Sequence, residues 1–186
     1  VPIDTDVVTF SSSSTVNCNI DISASATTVN ILSTYSGSIT INSNQTLTVS
    51  SSFTIAGGAF NANGQQLIAG IYYQNGGLFS AGAASVNCSG NFQINAGTFN
   101  AGTSTLSLTA ASGSQTITST NQSLYNLRHS GAGLLRIINT ALDVNGYFLH
   151  SAGTFDMNSQ SLSVAGNFTL SGGASGPTFT KGSTVL

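Results

Sequence analysis

Charged side chains are nearly absent from this chain of 186 residues, making up 4% of it as three Lys or Arg and five acids, all of them Asp. An average globular protein has about 25% charged residues. No basic surface is available to neutralise phosphates, so the composition excludes nucleic acid as a partner. Glu is missing altogether, and with few Lys and Arg the chain also lacks the residues that stabilise exposed helices.

Long apolar runs, cysteine pairs and a leader pattern are missing as well. No stretch approaches the ~20 apolar residues of a membrane span, so we expect none. The two cysteines are too few for a disulfide framework, and residues 1–4 lack the basic and apolar regions of a signal peptide. What the chain does contain is apolar material: 40% of its residues are hydrophobic and ten are Phe. That content predicts a folded chain and not a disordered one.

One motif recurs along the chain: an aromatic residue, a pair of small residues and then Phe. Its copies are residues 53–60, 72–79, 92–99, 148–155 and, with an insertion, 168–179. The short intervals between copies give a period of about 20 residues. Gly or Asn stands three residues after each second Phe, at Asn63, Gly82, Gly102, Asn158 and Gly182. These are the residues that adopt positive φ at low cost, so we expect a tight turn there.

Strict alternation of apolar and polar residues follows each turn, as in residues 47–55, 142–148 and 162–170. Such alternation indicates a strand with one buried face. Turns and strands repeating every ~20 residues predict an all-β parallel β-helix, or β-solenoid, of about nine coils. We expect it to be right-handed, as parallel crossovers generally are.

The whole chain, 1–186, is expected to form one solenoid domain. Residues 1–15 would hold the first strand and an N-terminal edge, 100–147 less regular coils, and 176–186 an incomplete last coil. Low charge suits this architecture, because equivalent positions stack and like charges would repel in a ladder.

The repeats at residues 97–108 (GTFNAGTSTLSL) and 162–172 (LSVAGNFTLSG) resemble those of large bacterial cell-surface β-helix proteins, of the filamentous-haemagglutinin and autotransporter-passenger kind. The resemblance covers about two thirds of the chain and lies in the style of the repeat. It implies a secreted, right-handed parallel β-helix that serves at the bacterial surface as a stalk, adhesin or fibre.

No catalytic or metal-binding set is evident among the ionisable residues. The five Asp do not form a pair at same-face spacing, and Asp156 occupies a turn position, where capping is the expected role. His150 alternates with the inward set and has no second ligand at suitable spacing, so we expect a buried or corner histidine. We therefore predict no enzymatic activity, no metal and no cofactor.

A second hypothesis places a small anion or sugar site on the face formed by Tyr125, Arg128, His129 and Arg136. Guanidinium groups and aromatic faces suit such ligands, which would make the chain an adhesin segment binding glycan. The alternative is a solvated face with a few charges. A more distant hypothesis is ice binding by Thr-rich strands, but the aligned outward positions hold mixed polar residues.

Cys18 and Cys88 both fall in apolar positions of alternating runs. They lie more than three coils apart, so their Cα atoms would be roughly 15 Å apart, beyond the reach of a disulfide. We predict two buried free thiols.

The functional hypothesis depends on the two ends of the solenoid. The sequence predicts a strand without a partner at Thr184, Val185 and Leu186. It also predicts a strand that could pair with it at Val7, Val8, Thr9 and Phe10. Head-to-tail addition of such edges yields filaments when the contact does not close. We therefore expect an extracellular structural protein, a stalk or self-assembling fibre subunit, whose partner is another copy or the rest of a longer parent chain.

Overall fold

A computed structural model describes residues 1–14, 16–172 and 176–180, and this part of the chain is built of β-strands without a helix. The strands stack in parallel as a β-solenoid of about eight turns, spaced by roughly 20 residues. The predicted all-β parallel solenoid is thus confirmed, with about eight turns where the length suggested nine. Some coils are longer than the period, since 25 residues separate Phe92 from its partner Ile117.

The strands have the following bounds: β1 Val7–Phe10, β2 Cys18–Ile20, β3 Ala24–Ile31, β4 Ser38–Ile41, β5 Thr46–Ile55, β6 Ala59–Asn61, β7 Gln66–Ser80, β8 Ser85–Cys88, β9 Phe92–Asn100, β10 Thr105–Leu108, β11 Ser114–Thr118, β12 Asn126–His129, β13 Leu134–Ile137, β14 Leu142–Val144, β15 Phe148–His150, β16 Thr154–Asp156, β17 Leu162–Val164, β18 Phe168–Leu170 and β19 Thr178–Thr180. The longer strands turn a corner and contribute to more than one side of the solenoid.

Each coil runs through three columns of stacked strands, which we number in chain order. Column one holds the first halves of β3, β5 and β7, followed by β8, β10, β12, β15 and β18. Column two begins with β1 and continues through the later parts of β3, β5 and β7 to β9, β11, β13, β16 and β19. Column three holds β2, β4, β6 and the ends of β7 and β9. Strands β14 and β17 form a separate two-stranded sheet, and a single bridge joins Val144 of β14 to Leu124.

Inward side chains of successive coils stack directly on one another and form a single core. In column three the rings of Phe60, Phe79 and Phe99 lie 5.7 and 5.2 Å apart with interplanar angles of 5° and 2°. In column two Tyr72 stacks on Phe92 at 4.5 Å. The two ladders meet edge to face, an arrangement that adds to the burial of the rings.

The predicted positive-φ turns are confirmed wherever the chain is described: φ is 53° at Asn63, 64° at Gly82, 56° at Gly102 and 49° at Asn158. Gly182 lies outside the described residues. At Gly102 a second constraint operates, because a Cβ there would run into the carbonyl oxygen of Gly82 in the coil below. The close stacking of turns therefore favours glycine beyond the demands of φ alone.

The repeat motif does not keep one column along the chain, which corrects the alignment drawn from the sequence. Phe53, Tyr72 and Phe92 stack in column two. Phe148, aligned with them by its motif, instead stacks on Leu127 in column one. Between the two sets the motif moves by one strand, because an aromatic-to-Phe corner fits between columns one and two as well as between columns two and three.

The change of phase falls in the region predicted to be irregular. The coil between Phe92 and Ile117 carries extra residues at 109–113, between β10 and β11. Gln115 compensates for this insertion: its Nε2 donates to the carbonyl oxygens of Cys88, at 3.0 Å, and of Gly90. The buried amide thus adds a donor to the Cys88 carbonyl, which also accepts from the backbone N–H of Thr109 at 2.9 Å, and supplies one to the carbonyl of Gly90.

Candidate functional site

The N-terminal end of the solenoid is an open strand edge around an exposed part of the core. Within the described residues β1 pairs only with β3, and β2 only with β4. Between them lies a cavity of about 230 Å³ whose lining includes Val8, Phe10, Cys18, Ile39 and Phe60. The N-terminal residues Val1 and Pro2 also line this cavity. Apolar stacks that continue unbroken through the solenoid therefore end here without a covering coil.

Exposed large apolar side chains are confined to the ends of the described solenoid. They are Val1, Ile3, Val7, Val16, Ile22 and Leu32 toward the N-terminal end, and Tyr147, Phe168 and Leu170 toward the other. Residues 33–146 contribute none. Val7 is 63% exposed and Leu170 is 51% exposed. Strongly exposed large apolar side chains thus lie toward the two ends of the described solenoid.

The edge strand predicted at residues 7–10 is present as β1. Val8 and Phe10 are half-buried toward the core, while Val7 and Thr9 are exposed. The opposite edge predicted at Thr184, Val185 and Leu186 lies outside the described residues. Before it, β17, β18 and β19 each pair only with the preceding coil, within the part of the chain that the structure describes.

The residues of the predicted ligand face do not lie on one surface. Arg128 is exposed in column one between Ser107 and Leu149. Arg136 is in column two, and Tyr125 is half-buried before β12. His129 points into the core and is fully buried, so its placement on this face was wrong. The alternation of β12 sends its neighbour Arg128 outward and His129 inward.

Arg136 is held by a neighbouring carboxylate. Its Nε donates to Oδ2 of Asp156, one coil away, at 2.8 Å. The other carboxylate oxygen, Oδ1, accepts from the backbone N–H of Asn158 at 2.8 Å. The turn-capping role expected for Asp156 is confirmed, and Arg136 is engaged by the same carboxylate.

Two buried histidines form a contact that the sequence analysis missed. His129 and His150 are partners in adjacent coils of column one. Their rings stack with centroids 4.9 Å apart and an interplanar angle of 6°, and their Nδ1 atoms are 3.0 Å apart. A spacing of 21 residues, close to one coil, was the available signal. It was missed because no copy of the motif covers His129, and the motif aligned His150 with column two instead of column one.

The hydrogen bonds of this pair determine its protons. Nε2 of His150 lies 3.1 Å from the carbonyl oxygen of Thr178 and must donate to it. In a neutral ring Nδ1 of His150 is then the acceptor, so His129 donates from its own Nδ1. Nε2 of His129 is left as a bare lone pair, buried and without a partner among the described residues.

Burial shifts the pKa values of both rings toward the neutral form. Desolvation, with a contribution from the neighbouring His150, lowers the pKa of His129 to about 4. Burial also lowers the pKa of His150, against the opposing effect of its backbone hydrogen bonds. At neutral pH the pair is therefore uncharged.

Both cysteines are free, as predicted. Cys88 is buried between Ala69 and Leu108, and burial raises the pKa of its thiol to about 12. Cys18 is half-buried at the N-terminal edge and not fully buried as expected, because no coil covers β2. Burial raises the pKa of the Cys18 thiol, and the negative charge of Asp21 raises it further.

The outward positions of column one do not form a threonine array. Successive coils place Thr48, Ile68, Asn87, Ser107, Arg128, Leu149 and Thr169 there. A regular ice-binding surface would need the same small polar residue at each of these levels.

Among the described residues no three His, Cys, Asp or Glu side chains come close enough to hold a metal ion. The same part of the chain has no helix long and apolar enough to cross a membrane. Comparison with family models, curated proteins and solved structures gave no match. The class of protein is therefore defined by the fold: a parallel β-solenoid repeat protein.

Proposed function

We propose that this β-solenoid is an extracellular structural protein whose ends join it to further copies, as a fibre subunit or the stalk of a surface assembly. The observation that carries the proposal is the confinement of exposed large apolar side chains to the two ends. Exposed apolar patches on an otherwise polar surface are typical of interaction sites. The resemblance of the repeats to those of bacterial cell-surface β-helix proteins supports the location outside the cell.

The free edges of the two ends are complementary. All strand pairs between coils are parallel. Within the described residues, β1 and β2 lack a preceding coil, and β18 and β19 lack a following one. A second copy placed head to tail would continue the same ladders. Such a heterologous contact does not close on itself, so it propagates as a filament.

The distribution of charged residues also favours head-to-tail contact. Asp4, Asp6 and Asp21 give the N-terminal end three negative charges, while Arg128, Arg136 and Lys181 outnumber Asp143 and Asp156 in the last third of the chain. Head-to-head contact would bring two acidic N-terminal ends together, and this repulsion favours head-to-tail contact. A second copy is therefore a better occupant of the open end than an unrelated apolar ligand.

The test is electron microscopy and sedimentation of the chain over a concentration series, with a variant that blocks the edge. Carbonyls of Asp6 and Phe10 accept from the next coil, so the alternate residues Val7 and Thr9 direct their N–H groups to the free edge. Thr9→Pro removes one such donor and spares the β1–β3 ladder. Thr9→Val keeps the donor and is the matched control.

Rods that lengthen with concentration in wild type and Thr9→Val, but not in Thr9→Pro, are the expected result. Separate particles about 40 Å long at every concentration would contradict the proposal. So would rods that form equally well in Thr9→Pro.

A further inference from the structure

The core contains a second functional element, independent of the ends. We propose that the His129–His150 pair is a proton-operated latch, whose protonation below neutral pH opens the coils from Asn126 to Thr180 while the coils before Asn100 stay closed. The latch makes the mechanical integrity of one part of the rod depend on pH.

Geometry makes the pair intolerant of a second proton. The Nδ1 atoms are 3.0 Å apart, so one hydrogen fits between them and two would oppose each other. Nε2 of His150 already carries a hydrogen directed at Thr178. The remaining site is Nε2 of His129, which is buried and has no acceptor among the described residues. A proton bound there creates an imidazolium without a partner in the core.

The surroundings supply no compensating charge. Above and below the pair in column one lie Leu170 and Leu108. The ring centroids of Phe148 and Phe155 lie 6.4 and 6.1 Å from that of His150. Apart from the Thr178 carbonyl these contacts are apolar, and none is charged, so the charged form loses its hydration without gaining a counter-ion.

The strands around the pair carry few ionisable side chains. Among β10, β13, β16, β18 and β19, the described ionisable side chains are Arg136 and Asp156, which bind each other on the outer surface. On the pair's own strand Arg128 points outward. Cys88, beyond Leu108, stays neutral because burial raises the pKa of its thiol to about 12. The only carboxylate in this set is thus engaged by Arg136 and faces away from the core.

The direction of the pH effect follows from proton binding. In an unfolded or opened chain a histidine has a pKa of about 6.5, whereas burial lowers the pKa of His129 to about 4 and that of His150 in the same direction. Between these values the open state binds more protons, so stability present above pH ~6.5 is lost as the pH falls. Each histidine raises the opening constant by up to about tenfold per pH unit.

Opening need not involve the whole rod. Coils of a solenoid contact only their neighbours, so a destabilised terminal section can open while the rest remains folded. Thr178, in the last described strand, is tied directly to His150. Opening at His150 also removes this tie, which leaves β19 held by its ladder with β16.

The experiment is native-state hydrogen exchange of the full chain at pH 7.5 and pH 5.0, corrected for intrinsic exchange rates. The matched variant is His129→Leu with His150→Leu, because Leu already occupies the levels on either side in the same column. We expect the opening constant of amides in β12, β13, β15 and β16 to rise at least about tenfold at the lower pH in wild type. Amides of β5, β7 and β9 should not change, and the double variant should lose the effect.

An equal rise in wild type and double variant, or no rise in wild type, would overturn the latch. An independent check on wild type alone is ¹⁵N NMR of the imidazoles across the same pH range. Two neutral rings at pH 6, with His129 protonated at Nδ1 and His150 at Nε2, are expected. Either ring titrating at its ordinary value of about 6.5 would refute the proposal even if the double variant failed to fold.

Discussion

The coils before Asn100 and those after it solve the same packing problem with different chemistry. In the first part, two ladders of aromatic rings fill the core and meet edge to face. In the second, shorter stacks of Phe148 on Phe168 and Phe155 on Phe179 share the interior with aliphatic residues and with polar groups. Of the eight buried polar residues of the described chain, Gln74 alone precedes residue 104. One backbone architecture therefore accepts either interior.

The two kinds of core differ in how specifically a buried side chain in one coil must match its partner in the next coil. Aromatic rings stack on any similar ring above and below, so the first part is repetitive. Each buried polar group in the second part needs a particular partner, as Gln115 needs the carbonyl of Cys88 and His150 that of Thr178. The second part can consequently carry a pH-dependent element that the first cannot.

The largest effect is expected from removing a ring of the aromatic ladder. Phe79 stacks between Phe60 and Phe99 and meets Tyr72 edge to face. Phe79→Ala should lower the free energy of unfolding by ~3–5 kcal/mol, because the closely packed coils cannot collapse into the space. Chemical denaturation measures this. Phe79→Leu is the control and should cost clearly less; equal losses would show that the ring stacking itself contributes nothing.

Turn glycines should differ in their tolerance of substitution according to how closely the neighbouring coil stacks on them. Gly102→Ala introduces both positive-φ strain and a clash with the Gly82 carbonyl, whereas Gly113 has a similar φ of 75° but nothing within 4 Å of its Cβ position. Gly102→Ala should cost about 2–3 kcal/mol and Gly113→Ala about 1 kcal/mol. Thermal unfolding of both variants compares them. A larger loss for Gly113→Ala would contradict the role of close coil stacking.

Removing the buried side-chain amide of Gln115 should destabilise the protein more than removing the half-buried amide of Gln93. Gln115→Leu keeps much of the volume but removes the side-chain donor of the Gly90 carbonyl and one of the donors of the Cys88 carbonyl, which keeps Thr109. We expect a loss of ~1–3 kcal/mol in denaturant unfolding. Gln93→Leu is the control, since Gln93 is half-buried and makes only a 3.4 Å bond to Thr116. If both variants behaved alike, Gln115 would be filling space only.

The smallest effect belongs to the surface ion pair. Arg136→Ala removes the contact with Asp156, in which the arginine side chain is 42% exposed, and should cost ~0.2–1 kcal/mol. The effect should shrink in 1 M salt, where the Debye length is about 3 Å. Arg128→Ala, which removes no ion pair of the described residues, is the comparison. A loss that persisted unchanged in salt would mean that packing, and not charge, holds Arg136.

Local patterns in the sequence predicted the elements well. Alternation located the strands, and Gly or Asn after each second Phe located turns whose positive φ is observed at Asn63, Gly82, Gly102 and Asn158. These signals are local, because side-chain alternation and backbone dihedrals depend on a few neighbouring residues. The apolar N-terminal strand at residues 7–10 was likewise predicted from its own residues.

Column membership could not be predicted in the same way. The motif at Phe148 reads like that at Phe53, yet the two lie in columns one and two. His129 lies in the section that the motif does not cover, and with His150 assigned to column two the contact between the two histidines was missed.

The sequence by itself thus determined the class of fold, the period of about 20 residues and the polar sides of the rod. Only the tertiary structure decided which residues stack on which, that the two histidines share one proton, and that the apolar surface collects at the ends. The physical reason is that coil stacking is a long-range pairing. The same aromatic-to-Phe motif fits two different corners of the coil, so the local pattern does not decide which strands of neighbouring coils become partners.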